Sequence, residues 1–241
     1  MIISMGISTS ASYAAEVDNT DASDPASQYD GMEISESTSI PDGTTIVNSF
    51  AIRGSDDPDD PVVVTLEGTV TAECPINIFG YVEIRGGTIQ RNHSGVLIQL
   101  DTDRSSICQL TIKDTIIDGQ NIASSSTIHG ISKLSTGVSR LILSGSTEIY
   151  HEKNSSAVIY IYNTSSSKFP AEIYITDKVS IHDNTAPYII VNTASGTTKY
   201  ASISVNIQGG SIYNNTVTTP IHLNYVHVQQ YFSFIMSGGT I

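Results

Sequence analysis

Apolar residues in this chain recur in pairs two positions apart: Val82/Ile84, Leu110/Ile112, Leu141/Leu143, Ile173/Ile175, Val205/Ile207 and Phe234/Met236. A spacing of two puts both side chains on one face of a β-strand. Small or polar residues follow each pair, as in Gly86-Gly87, Gly145-Ser146, Asp177-Lys178, Gly209-Gly210 and Gly238-Gly239. Such residues suit a sharp turn, and glycine adopts the positive φ that many turns need. Next comes an isoleucine: Ile89, Ile116 or Ile117, Ile149, Ile181, Ile212 and Ile241. A third alternation closes the unit, as in Val96/Ile98/Leu100, Ile159/Ile161 and Ile221/Leu223/Tyr225. The anchors Ile84, Ile112, Leu143, Ile175, Ile207 and Met236 are 28, 31, 32, 32 and 29 residues apart.

Three short strands in about 30 residues cannot bury a face alone, but coils of them stacked on one another bury a continuous interior column. The pattern therefore predicts an all-β parallel β-helix, a solenoid of about 28–32 residues per coil. Equivalent strands would lie side by side at about 4.8 Å per coil, giving a rod roughly 30 Å long. Asparagines fall three residues after the isoleucine in three copies (Asn92, Asn184, Asn215), while Asn121 and Asn154 come one or two places later. They are expected to stack at one corner and bond turn backbones from coil to coil. A β-sandwich lacks the 30-residue superperiod. A propeller needs blades of about 40–50 residues.

Segments such as FIMSGGTI, GGSIYNN and LTIKDTIIDG resemble the repeats of right-handed parallel β-helix (pectate-lyase-like) surface proteins, the adhesins of Gram-positive bacteria. The resemblance covers residues 61 to 241, or from Thr44 onward. It implies a right-handed solenoid in a large exported protein with more repeats and a C-terminal wall anchor. No LPxTG-like sorting motif occurs in the sequence.

Composition adds context. Charged residues make up 15% of the 241 residues and Trp is absent, while Ser, Thr, Asn and Gly abound. These residues disfavour helix interiors. Of the 24 acidic residues behind the net charge of -13, 12 lie between Glu16 and Asp60, opposed only by Arg53. Residues 15–60 are expected to form an acidic spacer or N-terminal cap. The nearly neutral remainder has no basic patch, which argues against nucleic acid as partner. Residues 1–14, ending in Ser12-Tyr13-Ala14, look like the back half of a signal peptide, so the chain is expected to be secreted or on the cell surface. No apolar run reaches the ~20 residues of a transmembrane helix. FIMSGGTI reads as the opening of a further coil, so the β-helix of 61–241 is expected to be truncated at its C-terminal end and to belong to a longer chain. Cys74 and Cys108 sit at different phases of the repeat; either a disulfide or two buried thiols fits.

Candidate chemistry is sparse. Asp101, Asp103 and Arg104 are the nearest thing to a lyase constellation, and Asp114 and Asp118 flank a strand. A polygalacturonase-like hydrolase needs paired carboxylates. The only Asp-Asp pairs, Asp56-Asp57 and Asp59-Asp60, lie in the acidic stretch, and Ile128-His129-Gly130 matches only the His-Gly part of that family's motif. His93, His151, His182, His222 and His227 are scattered across coil phases. Sequons stand at Asn92, Asn154, Asn163 and Asn214. Tyr150, Tyr160, Tyr162, Tyr174, Tyr213 and Tyr225 fall in or near strands, where outward rings can stack on sugars, meet a protein partner, or cover the sheet. No catalytic, cofactor-binding or metal-binding residue is assigned. The expected role is a non-catalytic adhesin or structural stalk that meets a polysaccharide or host-surface ligand through repetitive sheet faces. The alternative is a polysaccharide lyase or glycoside hydrolase of the same fold.

Overall fold

A computed structural model describes residue 29 and residues 31–101, 107–132, 138–163, 171–194, 202–225 and 231–241. The expected signal segment 1–14, together with Asp103, Arg104 and His227, lies outside the described residues. The strands run in a fixed order. β1 (Glu33–Ile34), β2 (Thr38–Ile40) and β3 (Thr45–Ile46) make the first pass. β4 (Phe50–Arg53), β5 (Val62–Leu66) and β6 (Thr69–Ala72) make the second. β7 (Ile76–Arg85) and β8 (Thr88–Arg91) follow, then β9 (Ile98–Asp101), β10 (Ile107–Lys113) and β11 (Ile116–Asp118). The pattern repeats through β12 (Ala123–Ser132), β13 (Val138–Ser144), β14 (Glu148–Tyr150), β15 (Lys153–Asn163), β16 (Ala171–Ile175) and β17 (Ser180–His182). It ends with β18 (Tyr188–Ala194), β19 (Ser202–Ile207), β20 (Ser211–Tyr213), β21 (Thr219–Tyr225) and β22 (Tyr231–Met236).

Each strand pairs in parallel with its counterpart one pass away, so the chain is an all-β parallel solenoid with three faces. Face A stacks β1, β4, the first half of β7, β9, β12, β15, β18 and β21. Face B stacks β2, β5, the second half of β7, β10, β13, β16, β19 and β22. Face C stacks β3, β6, β8, β11, β14, β17 and β20 in order. β7 joins faces A and B without a loop because Gly80, at φ 71°, turns the strand; a Cβ there would lie 2.7 Å from the carbonyl oxygens of Gly54 and Ser55.

The expected inward pairs line the interior. Leu110, Ile112, Leu141, Leu143, Ile173 and Val205 are wholly buried on face B, as are Ile117, Ile149 and Ile181 on face C. Register decides between the two isoleucines of β11: Ile117, not Ile116, lies between Ile89 and Ile149. Each such side chain contributes about 1.5–3 kcal/mol of burial before chain entropy is counted. Phe234 and Met236 continue the inward row of β22, the outermost strand of its face, and are exposed.

Parallel stacking begins at Glu33, well before residue 61. The described part of the stretch expected to be a spacer or cap instead contributes four strands, with Ile34, Ile40, Ile46, Phe50 and Ile52 buried. A 30-residue period does not find these passes, because Thr65 lies beneath Arg85 at a separation of 20 residues. Asp56, Asp57, Asp59 and Asp60, the last four acids of that stretch, lie in the loop from β4 to β5, where the Asp59 N–H bonds Asp57 Oδ1 at 2.9 Å.

At the corner between faces B and C, glycine and aspartate alternate from coil to coil: Gly86, Asp114, Gly145, Asp177 and Gly209. The first four have positive φ, and in the last two coils the positive φ moves to Gly210 and Gly239. Asp114 Oδ1 accepts the Ser146 N–H at 2.8 Å, and Asp177 Oδ2 accepts the Gly145 N–H at 2.9 Å. These backbone donors hold both carboxyls below the ordinary aspartate range. A Cβ at Gly145 would lie 2.1 Å from Asp114 Oδ1. Gly145→Ala therefore adds left-handed strain and displaces a capping carboxylate. It should destabilise the fold by about 1–3 kcal/mol, read as a lowered urea midpoint at unchanged slope.

Candidate functional site

The corner between faces C and A repeats a four-residue unit: Ile149-Tyr150-His151-Glu152, Ile181-His182-Asp183-Asn184 and Ile212-Tyr213-Asn214-Asn215. The isoleucine points inward. The second residue points outward from face C. The third has φ of 54°, 53° and 53° in turn, a conformation open to His, Asp and Asn more than to most residues. The fourth turns back inside.

That left-handed corner takes backbone groups out of the strand ladder, and asparagine meets them. Asn184 Oδ1 accepts the Glu152 N–H at 2.9 Å while its Nδ2 donates to the Ile149 carbonyl at 3.1 Å. Asn215 repeats this one coil on: its Oδ1 accepts the Asn184 N–H at 3.0 Å and its Nδ2 donates to the Ile181 carbonyl at 2.9 Å. One short side chain must both donate and accept, which the primary amide does. Asn184 and Asn215 thus stack as expected. Asn92 bonds Glu73 instead, and Asn154 is buried between Ser124 and Thr127.

Glu152 occupies the slot that asparagine fills in the next two coils. The corner beneath it is built differently, with positive φ at Gln120 and Asn121. Its carboxylate reaches inward to Arg91, two coils away, at 3.1 Å, and both side chains are fully buried. Gly119 in the intervening coil leaves the path open; a Cβ there would lie 2.5 Å from the Glu152 carboxyl carbon. Arg91 also donates to the Gly95 carbonyl at 2.7 Å. Neither Glu152 oxygen has a geometrically complete hydrogen bond. Burial outweighs the pull of Arg91 and lifts the Glu152 carboxyl to about 7. The same burial pushes Arg91 down.

Outside the corner, the second residues form a row in register: Asp118, followed by the aromatic Tyr150, His182 and Tyr213. Tyr150 and His182 stack at 5.4 Å, and His182 and Tyr213 at 4.9 Å with an interplanar angle of 14°. His151 meets Tyr150 edge-on at 4.6 Å and approaches Asp118 Oδ1 at 3.2 Å. His182 Nδ1 lies 2.7 Å from Asp183 Oδ2. Burial, with Asp118 and Glu148 nearby, raises the Tyr150 phenol above its ordinary value. His182 is sandwiched between Tyr150 and Tyr213, while Tyr213, at the end of the row, is exposed.

Among the described residues the other sequence candidates do not converge. Asp101 ends β9; Asp114 caps the corner between B and C, and Asp118 ends β11 on face C. His129 rests edge-on against Tyr160 on face A, and burial pushes it below the ordinary histidine range. Gly130 beside it faces inward where a Cβ would lie 2.8 Å from Ile161 Cδ1, so it serves packing. His222 leans on Tyr188, and Tyr174 lies beneath Arg140. Cys74 and Cys108 are buried, donating to the carbonyls of Asn48 and Ile78. Among the described residues no group of three or more His, Cys, Asp or Glu is placed to hold a metal. No helix among the described residues is long and apolar enough to cross a membrane. The sequence reading missed the Arg91–Glu152 pair. Its signal was the phase of Glu152, three residues after Ile149, where the neighbouring coils carry asparagine.

Comparison with protein-family models, curated proteins and solved structures finds no match for this chain.

Two measurements probe the corner. Asn184→Ala leaves a buried N–H and a buried C=O unmet and should lower stability by about 2–4 kcal/mol in denaturant titration. Glu152, raised when folded, binds more protons folded than unfolded between about pH 4.5 and 7. Its contribution is therefore fully present below 4.5 and lost as pH rises through 7. The stability difference between the native chain and Glu152→Gln should fall by about 2–3 kcal/mol from pH 4.5 to 8. A difference that stays flat would remove the raised carboxyl.

Proposed function

We propose that this chain is an exported, non-catalytic rod, an adhesin or structural stalk at the cell surface, that binds a glycan or protein partner through its repeated sheet faces. The observation that carries this reading is the layout of the outward side chains. They lie in rows, one rung per coil, and the aromatic row on face C and the ion-paired row on face B each run along the rod axis. On face B, Arg140 bonds Gln109 on one side at 3.0 Å and Glu172 on the other at 2.6 Å. Rows of mutually bonded side chains suit extended, multivalent contact, where weak rungs add along a chain-like ligand. Export rests on the residue pattern at the N-terminus and the Ser/Thr-rich surface composition.

The reading is tested by incubating the chain with a panel of neutral and acidic polysaccharides. Co-sedimentation or gel retardation reports binding, while reducing ends and absorbance of unsaturated products report turnover. Retention of at least one polymer with no product is expected. Steady release of either product would replace the stalk reading with an enzyme.

A further inference from the structure

Glu152 interrupts the asparagine ladder at a point where the strands also lose register. Asn184 meets the Glu152 N–H at 2.9 Å, but the Glu152 side chain completes no such bond to the coil beneath it. At the turn, two backbone bonds hold that coil: the Gly119 N–H donates to the Tyr150 carbonyl at 2.9 Å, and the Asn121 N–H to the His151 carbonyl at 2.7 Å. Just beyond, the pairing of β12 with β15 shifts register between Ser124 and Ser126. Side chains bridge the shift, with Ser124 Oγ donating to Asn154 Oδ1 at 2.6 Å and Asn154 Nδ2 to Thr127 Oγ1 at 2.9 Å.

The charged groups around Glu152 come from several turns. Arg91 reaches it from β8 at 3.1 Å, and Asp118 adds a like charge from β11. His151, next in the chain, turns outward to Asp118, and Asp183 in the following coil pairs with His182. His93 stands beside Arg91; its Nδ1 accepts the Gly95 N–H at 3.0 Å, and burial with Arg91 nearby pushes it below the ordinary histidine range. A buried carboxyl with so few hydrogen bonds loses its proton readily only by reaching water. Gly119 blocks that movement, since its backbone packs against the carboxyl. Glu152 therefore reaches water when its turn parts from Gly119 and Asn121. The Asn184 bond and the Thr185 N–H bond to the Glu152 carbonyl, at 2.8 Å, are strained by the same movement.

We propose that the turn at Glu152, between the fourth and fifth rungs of face C, is a proton-operated latch, shut while the buried carboxyl keeps its proton and opening locally as that proton passes to water. The latch is a property of the rod itself and is independent of what the sheet faces bind. Opening releases a proton because the carboxyl is lifted from 4.5 to about 7 when buried. It is therefore favoured as pH rises from 4.5 to 7 and gains nothing further above 7. Exposure of His93 has the opposite sign, since its ring would take up a proton on opening.

Amide hydrogen exchange of the full 241-residue chain, corrected for the intrinsic pH dependence of exchange, tests the latch. The reporters are the N–H groups of Gly119, Asn121, Glu152 and Thr185. Thr71 and Gln208, bonded to the carbonyls of Thr44 and Ile175 at 2.8 Å each, report distant rungs. Between about pH 5 and 8 the reporters should lose protection about 10–100-fold, while Thr71 and Gln208 keep theirs. In Glu152→Gln, and in Glu152→Asn, which supplies the side chain of the next two rungs, the reporters should show no such loss. Constant protection at the corner of the native chain overturns the latch. An equal loss in the variants also overturns it, by assigning the response to His151, Asp118 or another group. An equal loss at Thr71 and Gln208 does the same, because the whole rod is then unfolding. Should neither variant fold, the native profile decides: a loss that levels off near pH 7 supports the latch, and one that continues to about pH 9 overturns it.

Discussion

Parallel pairing in register is the constraint on which everything else in this molecule depends. It sets each residue against the residue of the same phase in the next coil, so one choice is made again at every rung. Apolar residues stacked this way give an interior column without gaps. The same rule makes corners demanding, because each turn frees backbone groups at a fixed position and repeats the vacancy in every coil. The two ladder corners meet that demand differently. Between faces B and C, an aspartate reaches over a glycine, and the small residue is required because the carboxylate occupies the space a Cβ would take. Between faces C and A, an asparagine bridges a donor and an acceptor in the coil before it.

Arg91 and Glu152 stand out against this regularity. An ion pair wholly inside a solenoid carries a desolvation penalty that attraction only partly offsets. It exists because the asparagine ladder meets a corner of different geometry at Gln120 and Asn121, leaving Glu152 with none of the partners that Asn184 and Asn215 find. Gly119 then lets two side chains from separate coils touch. The pair acts as an internal tie between coils that are not neighbours.

The outer surface follows the same register. Tyr150, His182 and Tyr213 stack because face C puts them on consecutive rungs, with His182 between the two tyrosines. Face B likewise places Arg140 between Gln109 and Glu172, and its guanidinium bonds both.

Sequence alone determined the inward pairs, the turn residues, the asparagine phase and hence the solenoid, since each is a local pattern repeated at a near-constant interval. It could not find the first passes, from Glu33 to Ala72, because the coil there shortens where β7 turns at Gly80 without a loop. Nor could it tell that Tyr150, His182 and Tyr213 occupy each other's faces, or that Arg91 meets Glu152 across Gly119. Those contacts join residues about one or two coils apart in sequence, and register alone brings them together. Periodicity identifies which residues share a phase. Only the stacked coils decide which neighbours that phase supplies, because the neighbour depends on the length of every coil in between.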